Sequence, residues 1–437
     1  MTDNKNSNPF VISKTSFFHR RLRKRNNSEK LFKFLGFASI AISVIFLAYL
    51  VLTIFSKGYT SFIQTKIRVS VNISEYVDIK EARKDNKILN AINYRQIVFD
   101  SLKKQFPDAK SRLQVIQLYS LVSRNSFIQA QKQITRDFKR LKGNFKIKPF
   151  EVWVPASSNI DMFVKGVISG EEGGKISEIE KSYVKKLREE GRIGKFFNTD
   201  FLRLGDSREP EMAGIMGSMV GSIFVIIVCM LIALPLGVAS ATYLEEFAPK
   251  NKFTSIIEVS VNNLAAIPSI VYGLLGLAIF LNFFGLPRSA SLVGGFTLAL
   301  LVLPVIIVTT RNALASVPPS VRDAARGLGA SKMQVVFHHV LPLAMPGIMT
   351  GSILSMARAL GETAPLLMIG MVAFVRDIPQ NFLDPATALP VQVFIWSDLP
   401  EAGFVEKTSG AIIILLIFLI LSNALAIFLR KKYEVKW

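Results

Sequence analysis

Long runs of apolar residues constrain this chain more than any other feature of its sequence. An α-helix needs about 20 mostly apolar residues to cross a hydrocarbon core of about 30 Å, because each residue advances it by about 1.5 Å. Six segments reach this length, at about 31–55, 213–243, 258–284, 291–315, 343–374 and 409–429. We therefore predict an all-α polytopic membrane protein with six transmembrane helices in a lipid bilayer.

Lysine and arginine residues predict which side of the membrane each segment faces, since positively charged short loops resist translocation. The basic run His19–Arg25 precedes the first apolar segment. We expect residues 1–30 to form a cytoplasmic N-terminus. We interpret 31–55 as an uncleaved anchor, because its apolar stretch is too long for a signal peptide. Six spans return the chain to the same side, so the C-terminus, 431–437, is also expected to be cytoplasmic.

Composition argues against several kinds of site. Cys229 is the only cysteine and lies inside an apolar segment, so we expect no intrachain disulfide and no cysteine-based metal site. His338 and His339 are adjacent, point to different faces of a helix and have no third ligand nearby. The net charge of +21 comes largely from residues that flank apolar segments, and no nucleic-acid motif accompanies it. We expect no nucleic acid partner, no metal, no cofactor and, with so few catalytic residue types, no enzyme.

The segment between the first and second apolar runs, 56–211, is long enough to fold around its own core. Orientation predicts that it lies outside the cytoplasm. Alternating apolar residues in "KIRVSVNI" predict a strand, Phe150–Pro155 predicts another, and residues 90–142 show helical spacing. We expect a mixed α/β extracytoplasmic insertion between helices 1 and 2. Its many lysines fit either a positive field at the outer mouth or a lysine-rich proteome.

A polar, turn-rich stretch, Val317–Pro342, lies between two apolar segments. Pro318 and Pro319 stop the preceding helix, and Ser320 with Asp323 three residues later predicts a capping box. These signals predict that a short helix begins at this point.

That helix should end near Gly329, because glycine tolerates the left-handed conformation beyond a helix end. Ser331 with Gln334 predicts a second capping box. An apolar face follows at helical spacing, made of Met333, Val336, Phe337 and Val340, and "LP" closes the unit. Such a pair of helices suits docking into a partner's groove, although the spacing alone fits a plain connector equally well.

This stretch resembles the EAA loop of binding-protein-dependent ABC importer permeases. The matching residues are Asp323, Ala324, Ala325, Gly329, Leu341 and Pro342. Asp323 replaces the usual Glu and keeps its charge, whereas His339 puts a polar ring where an aliphatic residue is usual. The resemblance implies that 317–342 is a coupling loop, which inserts into a cleft of the nucleotide-binding subunit. No GxxxxGK[ST] motif occurs in the sequence, so hydrolysis of ATP is expected on a separate subunit.

The run "MARALGETAPLL", Met356–Leu367, places Arg358 and Glu362 in an apolar segment, four residues apart and on one helix face. Charges at such depth are costly and usually functional. The pair is either a self-neutralising contact between helices or a site at which Arg358 attracts an anion and Glu362 moderates its grip.

"RALGETAPLL", "NNLAAIPSIVYGLLGLAIF" and "ALPLGVASATYLEEFAPKNK" are together similar to spans of the PstA-type phosphate permeases. The resemblance implies a type I ABC importer (MetI-like) core over 212–430, with Arg358, Glu362, Thr363 and Pro268 as candidates for the translocation path. It also implies a PstB-like ATPase dimer, a PstC-like permease subunit and a PstS-like periplasmic phosphate-binding protein as partners. Alternatives are a permease for another oxyanion or small solute, such as sulfate or molybdate, and a membrane sensor.

Overall fold

A computed structural model describes residues 9–76, 92–140, 149–167 and 176–433. It divides into two compact units, Met1–Ser56 and Lys57–Trp437. The first unit consists of most of helix α1, Pro9–Gly58. From Leu31 to Phe55, apolar side chains cover all sides of this helix and remain largely exposed, including Phe32 and Phe37. A helix that is apolar all round is suited to lipid or to a protein partner.

The second unit begins with a three-stranded antiparallel sheet in the order β2-β1-β3. Its strands are β1 (Ile63–Val71), β2 (Phe150–Pro155) and β3 (Ile193–Phe197). The central strand β1 alternates in burial, because successive side chains point to opposite faces of the sheet. Ile67, Val69 and Val71 are fully buried on the inner face.

Helices cover that inner face. They are α2 (Tyr94–Gln105), α3 (Arg112–Tyr119), α4 (Ser126–Arg140), α5 (Ser158–Lys165) and α6 (Glu178–Glu189), with a short α7 (Thr199–Arg203) leading onward. Buried residues of α2, such as Ile97 and Leu102, share one hydrophobic core with the sheet. Residues 77–91, 141–148 and 168–175 of this region lie outside the described part of the chain.

The remaining chain is helical. Its elements are α8 (Met216–Thr242), α9 (Lys252–Leu264), α10 (Ser269–Gly276), α11 (Ser291–Ala315), α12 (Pro319–Gly327), α13 (Lys332–Gln334), α14 (Leu341–Gly361), α15 (Ala364–Met368), α16 (Leu389–Ser397) and α17 (Ala402–Tyr433). Wider π-helical turns continue α8 over Tyr243–Phe247, α10 over Leu277–Phe283 and α13 over Val335–Val340. A second core lies between α8, α10, α11 and α14.

Five helices in the described residues are long and apolar enough to cross a membrane. They run over Arg21–Phe62, Met216–Phe247, Ser291–Ala315, Lys332–Gly361 and Ala402–Lys432. A sixth candidate is a pair of helices, Lys252–Leu264 and Ser269–Phe283, bent by 102° at the break between them. The bend falls before Pro268, a residue type that has no amide hydrogen for the helical ladder and disfavours helix in the residue before it.

The predicted segment 343–374 is not one helix. Helix α14 ends at Gly361, Glu362 adopts an extended conformation, and the five-residue helix α15 begins at Ala364. Pro365 lies in the first turn of α15, where its missing amide hydrogen costs nothing. Hydropathy alone did not reveal this break, because the two charged residues Arg358 and Glu362 lie in a segment that is otherwise apolar on average.

Candidate functional site

The stretch 317–342 begins as a short helix that differs from the prediction at its start. Helix α12 begins at Pro319, with Pro318 at the capping position and no side-chain cap. The predicted capping box of Ser320 and Asp323 is therefore wrong, because a proline at the first helical position leaves one fewer amide to cap. Gly329 has φ of +83°, as expected of a residue that ends a helix in the left-handed conformation.

The second predicted capping box is confirmed. The Ser331 amide donates to Gln334 Oε1 at 2.8 Å, and the Gln334 amide donates back to Ser331 Oγ at 3.4 Å. The helix that begins here continues without a stop through Gly361. Leu341 and Pro342 consequently lie half-buried inside a long helix and do not close a separate unit.

The apolar residues of this loop divide into two sets. Val336 and Val340 are buried against the protein, whereas Met333 and Phe337 are about half exposed, so the predicted single face is wrong. Leu328, at the tip between the two helices, is 90% exposed. Exposed apolar side chains of this kind are a common feature of surfaces that bind another protein.

The motif residues at the tip share this exposure. The Asp323 carboxylate is 72% exposed and forms only a weak pair with Arg326 at 3.6 Å. Ala324 and Gly329 are exposed, and Ala325 is buried against the loop's own core. The loop is thus anchored by one face and free to contact a partner by the other.

The charged pair in the apolar segment is formed. Arg358 Nε donates to Glu362 Oε1 at 3.3 Å, with the two side chains 41% and 18% exposed. Among the described residues the structure shows no other bond to this guanidinium, so its terminal nitrogens retain donors for a ligand. Thr363 follows directly and caps α15 without a side-chain bond.

Two broken helices meet beside this pair. Pro268 precedes α10, and Thr363 precedes α15. The two short helices pack so closely that a Cβ on Gly273 would lie 2.8 Å from Pro365 Cα and 2.9 Å from Met368 Cβ. Breaks in membrane helices leave backbone groups that can face a solute, and transporters use them in this way.

The insertion and the loops that carry Arg376 and Glu401 enclose a cleft of about 660 Å³. It is lined by the cations Arg124, Lys132, Arg208 and Arg376 and by the carboxylates of Asp200, Asp206, Glu209 and Glu401. The numbers of positive and negative side chains are equal. The cleft therefore does not favour the idea that a positive field of the insertion attracts anions.

Several functional candidates were missed from the sequence. Glu245 pairs with Arg311 of α11 and Glu246 pairs with Arg322 of α12, and Tyr272 bonds across the bend between α9 and α10. The only sequence signal for Glu245 and Glu246 was a weak one, two adjacent acidic residues beside an apolar segment. Nothing in the local sequence indicated the contact of Tyr272.

Comparisons with known proteins agree with this architecture. Residues 233–435 match the family described as binding-protein-dependent transport system inner membrane component, and residues 19–172 match a domain of unknown function, DUF3333. The chain is 32% identical over 223 residues to the phosphate transport system permease protein PstA of Haemophilus influenzae, covering 51% of this chain and 78% of that one. It is 32% identical over 250 residues to the probable ABC transporter permease protein YqgI of Bacillus subtilis, covering 53% and 84%.

A solved inward-facing structure of the MetNI methionine ABC transporter aligns with 51% of this chain and 95% of that chain, at 18% identity and a TM-score of 0.40.

The chain belongs to the family of binding-protein-dependent transport system inner membrane components, the permeases of ABC importers. Within this family it is of the PstA type. It is accordingly a multi-pass inner-membrane protein that works with an ATPase and a substrate-binding protein.

Proposed function

We propose that the chain is the permease subunit through which an ABC importer moves inorganic phosphate across the cytoplasmic membrane. The observation that carries the proposal is the loop 317–342, in which the exposed Leu328 and Gly329 lie between α12 and the capped helix that begins after Ser331. The substrate is inferred from relatives that are named as phosphate permeases. A PstC-like subunit completes the pathway, and a PstS-like protein delivers phosphate to the outer face.

In this proposal, ATP is hydrolysed on a PstB-like dimer that grips residues 317–342. Both termini, 1–30 and 431–437, lie in the cytoplasm with the coupling loop. The insertion, 56–211, faces outward, and the permease domain covers 212–430. Binding of ATP closes the dimer, and the gripped loop carries that movement into the membrane helices.

The translocation path passes the pair Arg358 and Glu362 at the two helix breaks. A lone arginine in a region of low dielectric would hold an oxyanion tightly, because little water screens their attraction. Glu362 competes for the same guanidinium, which weakens the grip and allows release. Arg358 binds phosphate reversibly and performs no chemistry on it.

The coupling assignment is tested by purification with the ATPase. In Gly329→Asp, a side chain must adopt φ of +83° at the docking tip, so we expect the ATPase to be lost. Gly191→Asp is a matched control, since Gly191 also has a positive φ, 65°, and open space around it but lies in the insertion. Full ATPase occupancy in Gly329→Asp would show that the loop does not dock the ATPase.

The substrate is tested by competition during uptake. Excess unlabelled phosphate should abolish uptake of labelled phosphate, whereas sulfate and molybdate should not. Uptake of labelled sulfate or molybdate that depends on this chain, without uptake of labelled phosphate, would assign the permease to another oxyanion. A sensor would leave phosphate uptake unchanged when the chain is deleted.

A further inference from the structure

The end of α8 is a wide turn that receives contacts from three other elements. In this receiving turn, Tyr243–Phe247, the Ala248 amide donates to the Tyr243 carbonyl at 2.8 Å, five residues back as in a π-helix. Three consecutive residues of the turn each face a cation from a different element: Glu245, Glu246 and Phe247. Single π-turns inside helices are frequent at functional sites.

The central contact is made by Arg322 of the coupling helix α12. Its Nη2 donates to Glu246 Oε1 at 2.6 Å, and its Nε donates to the same oxygen at 3.1 Å. The guanidinium also donates to the carbonyls of Leu314 and Val317 at the end of α11, at 2.9 and 2.7 Å. The side chains of Arg322 and Glu246 are only 15% and 8% exposed. One side chain thus joins α12, α11 and the receiving turn.

Two further contacts surround this one. Arg311 Nη2 of α11 lies 3.3 Å from Glu245 Oε2 and 2.9 Å from Glu258 Oε1 of α9. Lys332 Nζ, at the start of α13, lies 5.3 Å from the centre of the Phe247 ring. Both helices of the coupling loop therefore contact the same turn.

We propose that the receiving turn is the element through which the coupling loop moves the membrane helices, with the pair Arg322–Glu246 as its main link. A charged pair shielded from water is costly to break, because each partner would be left buried without its counter-charge. Movement of α12 is therefore transmitted to α8 and α11 together. The exposed pair Arg326–Asp323 on the same helix cannot serve in this way, since water screens it.

The inference rests on the proposed coupling function and identifies the residues that transmit movement from the coupling loop to the membrane helices. The experiment reconstitutes the whole importer, with its ATPase and binding protein, in liposomes. It compares wild type with Arg322→Gln, Glu246→Gln, the double variant and Lys250→Gln. Lys250 is an exposed cation just beyond the receiving turn and serves as the control for loss of charge. Three quantities are measured: ATPase bound per permease, stimulation of ATP hydrolysis by phosphate-loaded binding protein, and phosphate transported per ATP hydrolysed.

Both single variants should keep the ATPase but lose about two- to thirtyfold of the stimulation and of the transport per ATP, the range expected for residues that couple two sites. The double variant should be no worse than either single variant, because both remove the same link. Lys250→Gln should match wild type.

Unchanged coupling in the single variants, or losses that simply add in the double variant, would overturn the inference. If the only defect of the single variants is a loss of bound ATPase, the pair serves to dock the ATPase, and this result would also overturn the inference. Wild type with neither phosphate transport nor stimulation by phosphate-loaded binding protein would contradict the proposed substrate instead. The pair would then be tested by the basal rate of ATP hydrolysis at equal ATPase occupancy, which needs no substrate, and a rate unchanged from wild type in both single variants would overturn the inference.

Discussion

The Tyr272 hydroxyl donates to the Leu264 carbonyl at 2.7 Å, across the 102° bend between α9 and α10. Carbonyls at the end of a helix have no partner within that helix, and in a membrane they need one. Tyr272 is 6% exposed, so water does not compete for this bond. The Leu264 carbonyl also accepts from the Ile267 amide at 3.1 Å, so Tyr272 acts together with the backbone to hold the geometry of the break that leads to Pro268.

Tyr272→Phe tests whether this bond sets the bend. One hydrogen bond contributes about 0.5–1.5 kcal/mol, so we expect phosphate uptake to fall about two- to tenfold at equal membrane abundance. Tyr59→Phe is the control, because Tyr59 is 56% exposed. Uptake that is equal in both variants would show that the bend does not depend on the hydroxyl.

Gly273 should tolerate no larger residue. A Cβ there would meet Pro365 Cα at 2.8 Å, and backbone cannot move aside as a flexible side chain can. We expect Gly273→Val to separate α10 from α15 and to abolish uptake, with a lower melting temperature in detergent. In Gly36→Ala, nothing lies within 4 Å of the new Cβ, and uptake should be unchanged. Normal uptake by Gly273→Val would mean that the two helices need not touch.

A buried ion network connects the insertion to the last membrane helix. Lys165 Nζ lies 2.6 Å from Asp161 Oδ2 and 2.9 Å from Glu406 Oε1, and its side chain is 2% exposed. Lys165→Met would remove the cation that pairs directly with these two buried carboxylates and would leave only the nearby Lys407 to offset them, a loss of about 3–5 kcal/mol in the free energy of unfolding. Lys181→Met removes a lysine from an exposed pair with Glu178 and should cost no more than about 1 kcal/mol. Unfolding in detergent measures both, and equal losses would contradict the network.

Asp206 should make stability depend on pH. Burial raises the pKa of its carboxyl above the usual 3.8, while the Trp396 indole, which donates to Oδ1 at 2.9 Å, opposes that rise. The fold therefore favours the protonated form, and stability is lost as pH rises through the raised pKa.

Asp206→Asn keeps an acceptor for Trp396 but cannot ionise. Its stability relative to wild type should rise as the pH increases from the usual carboxyl pKa of 3.8 through the raised pKa of Asp206. Asp206→Ala leaves the indole without an acceptor and should lose about 1–3 kcal/mol at every pH. The unfolding midpoints of wild type and both variants are measured as a function of pH. An Asp206→Asn variant whose stability relative to wild type falls with rising pH would contradict the raised pKa of Asp206.

Local patterns predicted the features that depend on neighbouring residues. Apolar runs anticipated α8 and α11, and single positions anticipated the left-handed Gly329 and the cap at Ser331. These features follow from backbone chemistry and from the length of a membrane span.

Contacts between residues that are far apart in the sequence could not be predicted from such local patterns. Lys165 and Glu406 are 241 residues apart, and no local signal indicates that they meet in a buried network. The break after Gly361 also depends on packing, because α15 is held against Gly273. In the sequence Arg322 resembled an ordinary loop cation, and nothing indicated that the Glu246 carboxylate and the carbonyls of Leu314 and Val317 surround its guanidinium.

The most direct test is ATP-dependent phosphate uptake, at subsaturating phosphate, in cells that lack this chain and are supplied with wild type or Arg358→Gln. The account predicts that wild type restores uptake and that the variant does not, at equal membrane abundance and equal ATPase occupancy. If wild type restores no phosphate uptake with its partners present, the chain is a permease for another solute. If Arg358→Gln transports as well as wild type, Arg358 does not line the path.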